Sequence, residues 1–445
     1  MNKNTVNTVF DIRKENIMNI KELKLYIKDG KLNDRFAALY GEDMIKFQTE
    51  RYLRTIDNYV SQYGDAGNDM QIFSVSGRSE ISGNHTDHNN GKVIAAAINL
   101  DVIAVVSPRN DGIINVKSEG FEKVDTVDIK NIAPDEKNYF SSYALITGMC
   151  DGFTNKGYKI GGFDAYTTSN VFKGSGLSSS AAFEVMIGNI LNHLYNKGNV
   201  DNVEIAKIAQ FAENVHFGKK SGLMDQMACA VGGFINIDFK DTNTPVIKKI
   251  DFDLNKYGYY LYIVNTGGNH ADLNDDYSSV PEEMKSVARL LGSEVLRDVK
   301  YSDIIDNSAM LREKVGDRAI LRSIHYLNEN ERVTKQVESL EKGDLDGFFA
   351  NVIASGMSSF RFLQNVYTTK NVEEQGLSLA LAVSEQVLLG KKAAWRVHGG
   401  GFAGTIQAFV PADESENYKT EIEKVFGKGN CVALRVRNDG AVKVI

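Results

Sequence analysis

The chain has 445 residues, and its 42% hydrophobic and 24% charged content is that of a globular protein with room for two domains. Its net charge of −7 at pH 7 provides no basic surface for a polyanion, so we expect no nucleic acid partner. The three cysteines lie far apart without CxxC spacing, which argues against a disulfide framework or a structural zinc site.

The N-terminal segment carries charges where a signal peptide would be apolar. Asp11, Arg13 and Lys14 interrupt any such apolar run, and no stretch of the sequence reaches the ~18 apolar residues of a membrane helix. We therefore expect a cytoplasmic protein with no membrane contact, and a loosely held tail at residues 1–17. A monomer is a separate expectation.

The first predicted elements are helices. Apolar residues between positions 20 and 63 recur at helical spacing and are interrupted by turn signals at Asp29-Gly30 and at Gly41, which predicts two or three helices. Alternation over residues 71–75 then predicts a strand. Further along, the Asn-Asp-Gly at residues 110–112 separates two apolar runs, a pattern typical of a β-hairpin.

The second half of the chain begins a new pattern near residue 250. A strand is predicted at 259–264, helices over most of 281–390, and another strand at 405–410, directly after a glycine cluster at 398–404. We therefore predict an α+β protein. Its N-terminal mixed α/β domain would span residues 1–250, and its C-terminal α+β domain residues 251–445.

Residues 174–182 form the most distinctive stretch, Gly-Ser-Gly-Leu-Ser-Ser-Ser-Ala-Ala, with an apolar helical pattern behind it. Glycines let the backbone bend around an anion, and the free N–H groups of a helix N-terminus favour phosphate there. The loop lacks both the lysine of a P-loop and the third glycine of a dinucleotide-binding fingerprint. Taken alone, it fits either a phosphate cradle or a serine-rich capped turn.

A second polar cluster spans residues 77–91. Its chemistry-bearing members are Arg78, Asn84, His85, Asp87 and His88. This density fits a metal site, a pocket for a polyol or a solvated turn. A later acid, Asp225, follows a glycine-bearing turn and, taken alone, fits an ordinary helix cap.

Together, the early, middle and late glycine clusters resemble the three signature motifs of the GHMP small-molecule kinases. Residues 77–91 match the galactokinase signature Gly-Arg-x-x-x-x-Gly-x-His-Thr-Asp-x-Asn-x-Gly, and residues 174–182 match the second motif. Residues 222–226 are similar to the Gly-Ile-Met-Asp-Gln of sugar kinases in this family. The resemblance implies a two-domain GHMP kinase fold with the active site in the cleft between the domains.

The resemblance also implies roles for single residues. The ATP phosphates would lie against Gly174, Ser175, Gly176, Leu177, Ser178, Ser179 and Ser180. Ser180 and Glu213 would hold Mg²⁺. Asp225 would be the base facing the anomeric hydroxyl, and Arg78 would pair with it. The sugar would be bound by Asn84, His85, Asp87 and Tyr277.

Departures from the family pattern leave the sugar open. Galactokinases usually carry Glu where this chain has Asn84, and in the family that glutamate lies by the C6 hydroxyl. His88 replaces a common Tyr, and Tyr277 is followed by Ser-Ser-Val-Pro. The expected function is ATP-dependent phosphorylation of the anomeric hydroxyl of galactose. The alternatives are an anomeric kinase for galacturonate, an N-acetylhexosamine or arabinose, and a non-catalytic sugar and ATP sensor.

Overall fold

The computed structural model describes residues 18–65, 69–171, 176–219, 221–242, 244–268 and 273–445. The tail predicted at residues 1–17 lies outside the described residues, as do Gly174 and Ser175 of the predicted phosphate loop.

The α-helices of this part of the chain are α1 (Ile20–Lys28), α2 (Asn33–Tyr40), α3 (Ile45–Tyr63), α4 (Ser142–Asn155), α5 (Ser179–Tyr195), α6 (Asn202–Phe211), α7 (Met224–Val231), α8 (Asn274–Leu290), α9 (Tyr301–Asp306), α10 (Ser308–Lys342), α11 (Leu345–Ser358), α12 (Gly376–Leu388) and α13 (Ser415–Phe426). The strands are β1 (Gln71–Ser82), β2 (Lys92–Arg109), β3 (Ile113–Ser118), β4 (Val124–Asp128), β5 (Gly162–Ser169), β6 (Phe234–Asp238), β7 (Val246–Ile250), β8 (Tyr259–Asn265), β9 (Ala394–His398), β10 (Thr405–Pro411), β11 (Cys431–Leu434) and β12 (Ala441–Lys443). A π-helical turn, Ala212–His216, continues α6.

Helices α1 to α3 confirm the helices predicted between residues 20 and 63. They cover one face of β2, where Ile103 and Val105 belong to the same buried cluster as Phe36 and Tyr52. The alternate residues of β2 pack instead in a cluster with α4 to α7. Because successive side chains of a strand point to opposite faces, helices lie on both faces of this part of the sheet.

The first sheet has eight strands within the described residues, in the order β12-β1-β2-β5-β3-β4, with β6 and β7 continuing from β2. The prediction that the runs around residues 110–112 pair as a hairpin is wrong. Strand β5 lies between β2 and β3, antiparallel to the first (Val102↔Ser169) and parallel to the second (Val116↔Ala165). A turn signal predicts only a local reversal of the chain. Here β5, a strand from later in the sequence, lies between β2 and β3.

The second sheet has the order β11-β8-β10-β9 and confirms the strands predicted at 259–264 and 405–410. The two sheets meet at the end of β1, because Arg396 of β9 and Gln407 of β10 both donate to the carbonyl oxygen of Ile81 at 3.0 Å. Strand β12 pairs with β1 (Val75↔Ala441), so the end of the chain belongs to the first sheet. The domain boundary near residue 250 stays a prediction. No described helix is both long and apolar enough to cross a membrane.

Candidate active site

Arg78 and Asp225 form a two-pronged ion pair between β1 and α7. Arg78 Nε donates to Oδ1 of Asp225 at 2.8 Å, and Nη2 donates to Oδ2 at 2.7 Å. Pairing with β2 (Arg78↔Ala97) fixes the position of Arg78 along its strand, and Asp225 lies in the first turn of α7. The Asp225 side chain is 30% exposed, so the carboxylate keeps one open side.

The stretch at residues 174–182, called the glycine loop below, contacts the same ion pair through its described residues. Arg78 Nη1 donates to the carbonyl oxygen of Gly176, and the hydroxyl of Ser178 donates to Oδ2 of Asp225. Ser178 has a φ of 58° and α5 begins at the next residue. Ser180 therefore lies in the first turn of α5, where unpaired N–H groups and the helix dipole favour an anion.

Two opposing effects set the charge of Asp225. Burial raises the pKa of its carboxyl, but Arg78 and the Ser178 hydroxyl outweigh burial and hold the pKa below its usual range. The carboxylate is therefore ionised at neutral pH, where it accepts hydrogen bonds and is only weakly basic.

Glu213 lies in the π-helical turn after α6 and is buried. Its Oε1 accepts a hydrogen bond from Lys219 Nζ at 2.9 Å. Its Oε2 accepts from the hydroxyl of Ser221 and from Gln226 Nε2, the latter at 2.7 Å. Since Gln226 directly follows Asp225, these contacts tie Glu213 to the ion pair.

The residues predicted to hold Mg²⁺ have suitable donor atoms. Mg²⁺ prefers oxygen ligands and usually takes one or two carboxylates together with phosphate oxygens and water. Ser180 and Glu213 supply such oxygens, and a further acid, Glu184, lies one helical turn after Ser180. Glu184 is 0% exposed, and its Oε1 has no hydrogen-bond partner in the described parts of the chain. The described residues offer no group of three or more His, Cys, Asp or Glu that could hold a metal.

Sequence reasoning missed Glu184 and Lys219. Gln226 Nε2 donates to Oε2 of Glu184 at 3.2 Å, and burial, followed by the nearby Glu213, raises the pKa of Glu184 well above its ordinary value. The available signal for Glu184 was a lone acid in an apolar helix, four residues after Ser180. Lys219 carried no such signal, because only folding brings its ammonium to Glu213 and close enough to Asp225 to lower the pKa of that carboxyl.

His85 and Asp87 lie in the turn after β1. His85 Nε2 lies 2.8 Å from the carbonyl oxygen of Gly400. Burial, followed by His88, lowers the pKa of His85 to about 4, so the neutral ring donates its Nε2 proton to that carbonyl. Asp87 faces Gly222, where an added Cβ would lie 3.2 Å from Oδ2. Asp87 is therefore beside the segment that carries Asp225, whereas the side chain of His88 is 48% exposed.

Asn84 is fully engaged by protein groups. It is 0% exposed, and its Nδ2 donates to Oε1 of Glu80 at 3.2 Å and to the carbonyl oxygen of Gly399 at 2.6 Å. Its Oδ1 accepts from Asn365 Nδ2 at 2.8 Å and from Ser359 Oγ at 3.3 Å. Both amide protons and both lone pairs are thus used. Contact between Asn84 and a sugar stays a prediction, which this geometry does not favour.

Tyr277 of α8 packs on the third glycine cluster. Its hydroxyl donates to the carbonyl oxygen of Gly401 at 2.9 Å. A Cβ at Gly400 would lie 2.6 Å from Cε1 of Tyr277, so only glycine leaves room for the ring. The ring meets Phe402 edge-on with 5.5 Å between centroids.

His398 joins the third glycine cluster to the first. Its Nε2 accepts a hydrogen bond from the backbone N–H of Glu80 at 3.3 Å, and its Nδ1 lies 2.9 Å from the Thr405 hydroxyl. Burial, followed by Arg78, lowers the pKa of His398 well below its ordinary value, so the ring is neutral. The three sequence motifs therefore meet around Arg78, which donates to the carbonyl oxygen of Gly176 in the 174–182 stretch.

The same regions match known families. The GHMP kinases N terminal domain matches residues 144–233, and the galactokinase galactose-binding signature matches residues 57–108. The galactokinase of Limosilactobacillus reuteri (strain DSM 20016) is 32% identical over 385 residues, which cover 83% of this chain and 92% of that protein. The chain belongs to the galactokinase family.

A second relative is similar to the same extent, and solved structures share the fold. The galactokinase of Streptomyces coelicolor is 32% identical over 372 residues, covering 82% of this chain and 91% of that protein. The structure of Lactococcus lactis galactokinase complexed with galactose aligns with a TM-score of 0.72 at 22% identity, over 87% of this chain and 98% of that one. A mevalonate kinase structure aligns with a TM-score of 0.58 at 14% identity, over 83% of this chain and 99% of that one. The fold is thus the GHMP kinase fold, and the galactokinase-family chain is an ATP-dependent sugar kinase.

Proposed function

We propose that the protein transfers the γ-phosphoryl group of ATP to the anomeric oxygen of galactose, with Asp225 as the base. The observation that carries this proposal is the Arg78–Asp225 pair, which Gly176 and Ser178 join to the glycine loop. The carboxylate of Asp225 therefore contacts the predicted phosphate loop through Ser178, and the segment that carries Asp225 faces Asp87 at Gly222. Membership of the galactokinase family supports galactose as the acceptor.

In the proposed reaction, O1 of galactose attacks the γ-phosphorus while the bond from that phosphorus to the β–γ bridging oxygen breaks, and ADP leaves. The proton of O1 passes to a carboxylate oxygen of Asp225. Because the transition state of phosphoryl transfer is loose, the hydroxyl loses its proton late and a weakly basic carboxylate suffices. Arg78 holds Asp225 in line and adds positive charge beside the transferring group.

The phosphate side of the proposed site combines several sources of positive charge. The N-terminus of α5 receives the phosphates, with Ser178, Ser179 and Ser180 in the loop and first turn. We assign Mg²⁺ to Ser180 and Glu213, where the ion would neutralise charge on the phosphates. Lys219, whose Nζ lies 2.9 Å from Glu213, adds an ammonium at the same place.

On the sugar side, we assign hydroxyl binding to Asp87 and to the turn that His85 and Tyr277 hold in place. Asp87 is a partly exposed carboxylate beside Gly222, and its side chain is 22% exposed. A sugar that leaves such a carboxylate unpaired on binding is rejected strongly, which gives the site discrimination among epimers.

A panel of sugars tests the proposal. ADP release is measured with galactose, galacturonate, glucose, N-acetylgalactosamine and arabinose, and ³¹P NMR identifies the product by coupling of phosphorus to the anomeric proton. We expect kcat/KM for galactose to exceed that for the others by about tenfold or more. A higher value for another sugar would make the protein an anomeric kinase for that sugar, and binding without ADP release would make it a sensor.

We further propose that the enzyme acts as a monomer in the cytoplasm. Its net charge of −7 opposes self-association. Light scattering after size exclusion tests the oligomeric state, and the mass of two chains would overturn it.

A further inference from the structure

Galactokinases usually carry a glutamate at the position of Asn84. In this chain Asn84 is neutral, and it lies beside another acid, Glu80. Oε1 of Glu80 accepts hydrogen bonds from Arg396 Nη2 at 2.8 Å and from Asn84 Nδ2 at 3.2 Å. Oε2 of Glu80 accepts none from the residues that the structure describes, and the side chain keeps 9% exposure. One oxygen is therefore fixed by protein donors, and the other is left for a donor from outside.

Glu80 lies on the same face of β1 as Arg78. The pairing with β2 is regular over this stretch (Arg78↔Ala97, Ser79↔Ala96, Glu80↔Ala95). Side chains two residues apart in a strand point to one face, ~7 Å from each other. Since Arg78 holds Asp225 at the proposed reacting end of the sugar, Glu80 lies about one sugar ring further along the strand.

Asn84 orients Glu80 and the turn beside it. Its amide donates to Glu80 and to the carbonyl oxygen of Gly399, next to the Gly400 carbonyl that His85 binds. A carboxylate at position 84 has no proton for either contact and would place two acidic groups side by side. The amide at 84 is thus the partner that an acid at 80 requires.

We propose that Glu80 presents the sugar-facing carboxylate of this pocket to the hydroxyl groups at C4 or C6, and that Asn84 is the positioning residue that holds Glu80 in place. The inference rests on the proposed function, because it places O1 of the sugar at Asp225. It replaces the expectation that residue 84 itself reads C6.

The test compares Glu80→Gln with the wild-type enzyme on galactose, 4-deoxygalactose and 6-deoxygalactose. Glutamine keeps an oxygen for Arg396 and Asn84 but loses the charge. We expect kcat/KM for galactose to fall about tenfold or more, which is ~1.4 kcal/mol. For at least one deoxysugar it should fall by less than about threefold, because the partner of Glu80 is already missing there. An equal loss on all three sugars would show a structural role and overturn the proposal.

Asn84→Asp tests the positioning role by the same comparison of galactose with the deoxysugars. We expect this variant to lose its discrimination against the deoxysugar, measured as the ratio of kcat/KM for galactose to kcat/KM for the deoxysugar. Asn192→Asp is the matched control, because Asn192 is also buried and its Nδ2 donates to the Val200 carbonyl at 3.0 Å, away from the site. It should keep the discrimination. Discrimination that persists in Asn84→Asp overturns the role of Asn84, and if that variant does not fold, Glu80→Gln still decides the role of Glu80. A wild-type enzyme that leaves galactose unphosphorylated overturns the proposed function instead.

Discussion

Arg78 is the main neighbour that keeps Asp225 charged. Burial alone would raise the pKa of this carboxyl, and Arg78, with bonds of 2.8 and 2.7 Å, is the largest of the contributions that lower it, ahead of the Ser178 hydroxyl. The arginine therefore acts twice in the proposed mechanism, on the transferring phosphoryl group and on the protonation of the base.

Arg78→Met should move the pH dependence of turnover. With the cation removed and burial retained, the pKa of Asp225 rises, and activity needs the ionised form present above that pKa. The acid limb of kcat/KM should therefore move to higher pH, with kcat also lower by about 10² or more. Profiles from about pH 4 to pH 8 measure this. Arg109→Met is the control, since Arg109 pairs with Asp164 at 3.0 Å elsewhere in the sheet. If the acid limb of kcat/KM stays at the wild-type pH in Arg78→Met, the account is contradicted.

Gly222→Ala should weaken sugar binding through Asp87. The new Cβ would lie 3.2 Å from Oδ2 of Asp87, so the carboxylate must shift. We expect KM for galactose to rise about three- to tenfold, up to ~1.4 kcal/mol, with KM for ATP unchanged. In an Asp87→Ala background the same change should have no further effect. An equal increase in that background would place the cause elsewhere.

At the scale of elements, one buried acid fixes the helical layer to the sheet. Asp101 of β2 accepts from Arg51 of α3 at 2.6 Å, and the two side chains are 0% and 3% exposed. The hydroxyls of Tyr40 and Ser74 bond the other oxygen. The network thus ties α2, α3 and β1 to β2, which continues into the strand pairing that positions Arg78.

Arg51→Met should lower the free energy of unfolding by about 3–5 kcal/mol, because it leaves Asp101 buried without its main partner. Arg54 is the matched control on the same helix, since its side chain is 59% exposed and lies 3.8 Å from Glu119. Arg54→Met should change the free energy by about 1 kcal/mol or less. Urea unfolding followed by circular dichroism compares them, and equal losses would show that burial of the pair is not the cause.

Local sequence patterns predicted the helices and strands better than they predicted which strands pair and which side chains meet. The helical spacing over residues 20–63 is a property of neighbouring residues and was confirmed. The pairing of β2 with β5 depends on a strand about 50 residues later, for which a turn signal has no information. The site shows the same limit. The motifs identified Arg78 and Asp225, but the role of Glu80 depends on strand register and on Arg396 from the second sheet.

At the scale of the whole molecule, the end of the chain completes the first sheet. Strand β12 pairs with β1, and just before it Arg437 Nη1 donates to Ser74 Oγ at 2.9 Å and lies 3.5 Å from Oδ2 of Asp101. Because the strand that carries Arg78 has β12 as its neighbour, the two halves of the sequence are not independent in the fold.

Two truncations test this dependence. A chain ending at Val436 loses both Arg437 and β12, and its free energy of unfolding should fall by about 3 kcal/mol or more. A chain ending at Asn438 keeps Arg437 and should lose less. Thermal unfolding monitored by the single tryptophan, Trp395, measures both. Wild-type stability of the shorter chain would contradict the role given to the C-terminal strand.

The most direct test of the central claim is Asp225→Asn, assayed for galactose turnover with ATP and for galactose binding by calorimetry. Asp238→Asn is the matched control, because Asp238 pairs with Arg297 at 2.9 Å in another part of the fold. We predict that Asp225→Asn lowers kcat by about 10²–10⁴ while the dissociation constant for galactose stays within about threefold of wild type. Turnover at the wild-type rate in Asp225→Asn would contradict the account.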